Sequence, residues 1–180
     1  MRNITLALAV FAALGAVSTV QAASTGTITF NGELTANTCD AVVDNQEADA
    51  TVTLPTVGTN QLDVKGKTAG QTGFNIALQN CAGTLNTASA FFEAGPTVDL
   101  PSGHLKTTGS ATNVSLQLRD LSSATSAVIQ AGNGNQTTNT TYVDVSTGSA
   151  NLPYAVEYFA DDVTTAGSVV SSVVYSIQYM

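Results

Sequence analysis

One histidine, two cysteines and thirteen aspartates and glutamates are the groups through which this 180-residue chain could do chemistry, and their spacing speaks against most of it. His104 lies in Pro-Ser-Gly-His, a loop by composition, and no second histidine stands at metal-ligand spacing. A serine-histidine-aspartate triad can be assembled from distant positions. The strand-elbow-helix signature of a serine nucleophile is missing, however, and no long helix is available to follow one. Asp120 with Glu93 would place two carboxylates on a sheet face, but no spacing prefers that pair over others among the thirteen acids. Asp161-Asp162 reads as a solvated turn, because calcium takes about six to eight oxygens and few acids lie nearby. The expectation is a protein that is not an enzyme, with no catalytic residue, metal or cofactor.

The cysteines have another use. Ahead of them Arg2 precedes an uncharged apolar run of fourteen residues, 4–17, and small residues follow at Val20-Gln21-Ala22. That run is shorter than the roughly 20 residues a membrane-spanning helix needs, so residues 1–22 read as a signal peptide cleaved after Ala22. Cys39 and Cys81 then lie in an exported chain, where an even pair reads as a disulfide. Closing a loop of 42 positions stabilises a fold by about 4 kcal/mol on the chain-entropy model. Without the leader 158 residues remain, one domain's worth, carrying four basic and thirteen acidic side chains for a net charge of −9. Such a surface disfavours nucleic acid and anionic lipid as partners.

The elements that position these residues are strands. Apolar residues alternate with polar ones at Ile28, Phe30 and Leu34; at Val52 and Leu54, stopped by Pro55; at Phe74, Ile76 and Leu78; and at Val114, Leu116 and Leu118. Residues 90–93, Val128-Ile129, 142–145, and Tyr154, Val156 and Tyr158 continue the series. Short strands at this spacing, with no sustained 3.6-residue period, predict an antiparallel sandwich without long helices. Asn133-Gly134 reads as an exposed hairpin tip between two of them; a phosphate-cradling loop would need a helix opening behind it. The sequons at Asn113, Asn135 and Asn139 are matches expected by chance in so Asn- and Thr-rich a chain.

Both ends of the exported chain stand out. Residues 167–180 contain no charge and no proline, and from Val173 onward Val173, Tyr175, Ile177 and Tyr179 share one face of a strand. An edge strand is normally blunted by lysine, proline or a bulge. This one has none of them, so it is either covered within the fold or meant for a partner. At the other end residues 26–34 (GTITFNGEL) put Gly26, Ile28, Phe30, Gly32 and Leu34 on one face. This is either the first strand of the sandwich, with a bulge or close approach at Gly32, or an arm that leaves its own fold to fill another's.

In order and spacing four segments resemble the pilin subunits of chaperone/usher fimbriae, the single-domain, type 1-like major fimbrial subunits. They are GTITFNGEL followed by Cys39, FNIALQNC ending at Cys81, NVSLQLRD at residues 113–120, and a terminus with Gly167 fourteenth from the end and Tyr179 penultimate. The resemblance implies an incomplete immunoglobulin-like β-sandwich that lacks its final strand. Its organisation would be a signal peptide at 1–22, a donor-strand arm at 23–36 and a pilin domain at 37–180. Ile28, Phe30 and Leu34 would plug the next subunit's groove, with Gly32 the small residue where exchange begins. The groove would run beside residues 167–180, and a periplasmic chaperone would fill it first, anchoring the Met180 carboxylate. At an outer-membrane usher the arm of an identical or related pilin would replace the chaperone's strand by β-augmentation, building a fimbria on the surface of a Gram-negative cell.

Gly26 departs from this pattern, since a bulky residue there would strengthen the plug. Whether the chain is a major rod subunit or a minor one therefore stays open. A second reading is a self-contained secreted β-sandwich that acts as an adhesin or carbohydrate-binding module. The absence of tryptophan weighs against it, because sugar sites use stacked aromatics.

Overall fold

The computed structural model describes residues 27–32, 34 and 38–180. The chain divides into two units, Met1–Glu33 and Leu34–Met180. In the first, residues 27–32 run without a ladder partner and every one of their side chains is exposed. The expected signal peptide and Gly26 lie outside the described residues.

Among the described residues of the second unit are nine strands, the longer ones built on alternation of apolar and polar side chains: β1 (Thr38–Val43), β2 (Thr68–Ala82), β3 (Thr87–Phe92), β4 (Leu105–Lys106), β5 (Val114–Asp120), β6 (Ala127–Ile129), β7 (Val143–Asp144), β8 (Ala150–Ala160) and β9 (Tyr175–Tyr179). A single 3₁₀ turn (Thr59–Gln61) and a one-turn helix, α1 (Gln136–Asn139), interrupt them. One sheet has the order β1-β2-β8-β5-β4, with β6 also on β5; the other has the order β7-β3-β9. Every pairing is antiparallel.

Strand parity builds the core. Ile76 and Leu78 of β2, Leu116 and Leu118 of β5, and Leu152, Tyr154 and Val156 of β8 face Ala88, Ala90 and Phe92 of β3 across the sandwich. The Phe92 ring meets Tyr154 edge-on at 5.2 Å, and the Tyr154 hydroxyl accepts the Ala90 N–H at 3.0 Å. That bond matters, because an unpaired N–H at such depth costs about 1–3 kcal/mol. Burial also pushes the Tyr154 phenol above its ordinary value. The Cys39–Cys81 disulfide forms, joining the start of β1 to the end of β2.

Three expectations need correction. Residues 51–57 have the half-buried alternation of a strand at Val52, Leu54 and Val57, but no strand pairs with them. The terminal ladder begins at Tyr175 rather than Val173. Asn133-Gly134 leads into α1 instead of forming a hairpin tip. There the buried Gln136 side chain takes both the N–H and the C=O of Phe92 at 3.0 Å, a tertiary contact that overrides the local hairpin preference.

Candidate functional site

His104 is buried on the outer face of the larger sheet, its ring 4.3 Å from that of Phe159. Its Nδ1 lies 3.3 Å from Ser115 Oγ, its Nε2 lies 3.0 Å from Gln117 Nε2, and Ser115 Oγ donates to Asp161 Oδ1 at 3.1 Å. The network is self-consistent only with the proton on Nδ1, so that Nδ1–H donates to the serine and Nε2 accepts from the amide. Serine therefore sits between histidine and aspartate, and the imidazole cannot take a proton that is committed to Asp161. A catalytic triad needs histidine in the middle. Burial lowers the His104 pKa from its ordinary value, with Asp161 and then Asp99 opposing the shift. Among the described residues no cluster of three metal-ligating side chains occurs.

The open edge of the smaller sheet is the more distinctive feature. Residues 87 and 180 exchange main-chain bonds at 3.0 and 2.9 Å, and Glu93 N–H donates to Val174 O at 2.8 Å. This register turns the even-numbered residues of the terminal segment toward β3. The same parity continues upstream, where Val170 O accepts from Thr108 N–H at 2.7 Å and Ser168 O accepts from Ala111 N–H at 3.0 Å. The N–H and C=O groups of Val173, Tyr175, Ile177 and Tyr179 consequently face the side on which no strand lies among the described residues. Their side chains, with that of Val169, are half-buried against the core.

Across this edge stands a second wall, residues 48–57. Among the described residues none of its main-chain groups bonds another main-chain group. Its contacts are the Tyr175 hydroxyl to Ala48 O at 3.0 Å, the Tyr158 hydroxyl to Pro55 O at 3.3 Å, and reciprocal 3.2 Å bonds between Thr51 and the Gln46 side chain. Val52 and Leu54 pack on the core, as do Phe74 and Tyr158 between the walls. Gly70 lets Val57 close in: its φ of +64 fits the register shift in β2, and a Cβ there would lie 3.0 Å from both Val57 and the Tyr158 ring. At the lower end Tyr179 Oη accepts Cys39 N–H at 2.9 Å, beside the disulfide. The result is a furrow with an apolar floor and, on both sides, main-chain groups that have no main-chain partner among the described residues.

The other residues singled out in sequence fall as follows. Ile28, Phe30 and Leu34 are 78%, 88% and 102% exposed. Nothing lies within 4 Å of a Cβ built on Gly32, so neither a bulge nor a close approach explains that glycine. Gly167 is explained: its Cβ would sit 2.7 Å from the Ser110 carbonyl carbon, where the terminal segment crosses residues 110–111. Met180 O accepts bonds from Asn86 N–H, Thr87 N–H and Thr87 Oγ1 at 3.0–3.1 Å. Sequence reasoning missed the tyrosine hydroxyls that meet the second wall. Tyr158 carries no local sign of that role, since its partner Pro55 lies 103 positions away.

Fold and site together define an immunoglobulin-like β-sandwich with an unfilled edge. The profile of the FimA family, Type-1 fimbrial protein, A, matches residues 54–180, and the chain belongs to that family of fimbrial subunits. It is 42% identical over 161 residues to the major fimbrial subunit SMF-1 of Stenotrophomonas maltophilia (strain K279a), covering 87% of this chain and 94% of that one. The F17 fimbrial protein of Escherichia coli is 33% identical over 184 residues, with 99% of each chain covered. In fold it is similar to a chain from the structure of a chaperone-usher pilus (TM-score 0.60, 20% identity, 87% of this chain and 96% of that one). The P pilus rod subunit PapA is also similar (TM-score 0.58, 14% identity, 78% and 99%). None of these relatives is named as an enzyme.

Proposed function

We propose that this chain polymerises head to tail, the segment at residues 26–34 of one copy lying in the furrow between residues 48–57 and 167–180 of the next. The observation that carries the reading is the pairing of opposites within one sequence. Ile28, Phe30 and Leu34 expose an alternating apolar face, and the furrow has an apolar floor flanked by two unladdered edges. A strand placed there would gain main-chain bonds from both walls while its alternate side chains fill the floor, which is β-augmentation. Because the two surfaces differ, the contact is heterologous and generates a filament rather than a closed dimer.

In this account residues 1–22 direct export and are removed, residues 23–36 are the donor arm, and residues 37–180 form the recipient domain. A periplasmic chaperone occupies the furrow until an outer-membrane usher presents the next arm, and the Met180 carboxylate is the chaperone's anchor. The product is an adhesive fimbria at the cell surface, built from identical or related subunits. Cells producing a chain that lacks residues 23–32 test this. Electron microscopy is expected to show no filaments while the folded subunit accumulates in the periplasm, and filaments of normal length would refute the arm's role.

A further inference from the structure

Resting on that reading of the furrow, we infer that the hydroxyls of Tyr175 and Tyr158 are positioning groups, holding the wall at residues 48–57 one strand's width from β9 before a strand arrives. This wall has no ladder to fix it. Among the described residues, and apart from the local Thr51–Gln46 pair, its main chain is bonded only by these two hydroxyls, at Ala48 O and Pro55 O.

Geometry favours a spacer. Neighbouring strands lie about 4.8 Å apart, so two walls separated by one missing strand stand roughly 9.6 Å apart. An extended tyrosine reaches roughly 6.5 Å from Cα to hydroxyl on ordinary bond lengths. Adding the 3.0 Å bond to Ala48 O, the longest separation that Tyr175 can bridge is about that gap. Its ring lies on the core-facing side of β9, so it paves the floor instead of blocking the slot. Tyr158 rises from β8 and ties the wall seven residues further along, at Pro55. Without these bonds the apolar residues Val52 and Leu54 are free to close onto Ile177 and Val173, which would bury surface and remove the slot. Phenylalanine at either position keeps the floor and loses the tie.

Tyr142 provides the comparison. Its hydroxyl bonds Thr137 O and Gln178 Oε1 at 3.4 and 3.3 Å and touches neither wall main chain. The test uses the full exported chain, isolated from producing cells in soluble, unpolymerised form with any protein that accompanies it left bound. Wild type, Tyr175→Phe, Tyr158→Phe and Tyr142→Phe are each offered a labelled peptide with the sequence of residues 26–34. Peptide incorporation, hydrogen exchange of the 48–57 amides, exchange of the β2 and β8 amides, and the unfolding midpoint are read in parallel.

Losing one neutral hydrogen bond is expected to change wall exchange and incorporation by about fivefold in Tyr175→Phe and Tyr158→Phe. The β2 and β8 amides and the unfolding midpoint shift by no more than the loss of that one bond allows, and Tyr142→Phe behaves as wild type. Wild-type rates in both variants overturn the spacer and leave the furrow reading standing. Protection lost throughout β2 and β8 by much more than fivefold also overturns it, since the tyrosines would then be supporting the whole sandwich. A wild-type chain that takes up no peptide refutes the furrow reading, and the spacer falls with it.

Discussion

Phe30→Ala separates a residue's contribution to its own fold from its contribution to a neighbour's. Phe30 is 88% exposed within its own chain. Truncating it there removes no core contact, and the unfolding free energy of the isolated subunit is expected to stay within about 0.5 kcal/mol of wild type, as for other surface substitutions. If the ring is buried in the next subunit's furrow, the same change removes about 2–3 kcal/mol at each junction. At 1.4 kcal/mol per factor of ten, each junction loosens by roughly 30- to 150-fold. The assay is a pair of titrations: guanidinium unfolding of the unpolymerised chain, and guanidinium dissociation of purified filaments followed by sedimentation. The reasoning predicts a shift in the second and none in the first. Filaments as resistant as wild type, or an equal drop in both titrations, would refute it.

Three further outcomes follow from particular contacts. His104 is held neutral by burial, its pKa below the ordinary 6.5, so unfolding takes up a proton as the pH falls below that value. Stability contributed by the neutral form is complete above the unfolded value and is lost as pH drops through the folded one. His104→Gln should flatten the fall in melting temperature between pH 7.5 and pH 5 on a scale of about one proton, and equal slopes in the two proteins would contradict the assignment. Gly167→Ala drives a methyl into the main chain at residues 110–111 and should cost about 1–3 kcal/mol in a denaturant titration; an unchanged midpoint would show that the crossing has room. Replacing both Cys39 and Cys81 by serine should lower stability by about 4 kcal/mol, read as a urea midpoint that matches wild type under reducing conditions.

Much of the sandwich is written in local alternation. β2, β5 and β8 are legible because Ile76, Leu78, Leu116, Leu118 and Val156 repeat with period two over long stretches. β1 is not, because Asp40 and the half-buried Cys39 blur its pattern, and the two residues of β4 are a strand only by virtue of their pairing with β5. Alternation also cannot report whether a partner is present. Residues 51–57 and residues 27–32 carry the same signature as β2, yet neither forms a ladder among the described residues. The burial of His104 was invisible for a related reason. Loop composition describes its neighbours in sequence, while Ser115, Gln117 and Phe159, which enclose it, come from strands that the chain forms later. The furrow was legible at its charge-free terminal edge but not at its opposite wall.

The covalent link between Cys39 and Cys81 sets how this molecule answers mechanical load. Tension applied through the leading residues enters the sandwich at Thr38 and one position later meets a bond that does not yield at the forces that break hydrogen bonds. It passes from there to the far end of β2, a strand of 15 residues laddered to β1 on one side and β8 on the other. Load on the leading residues therefore bypasses the rungs of β1, which cannot be peeled away one by one while the bridge holds.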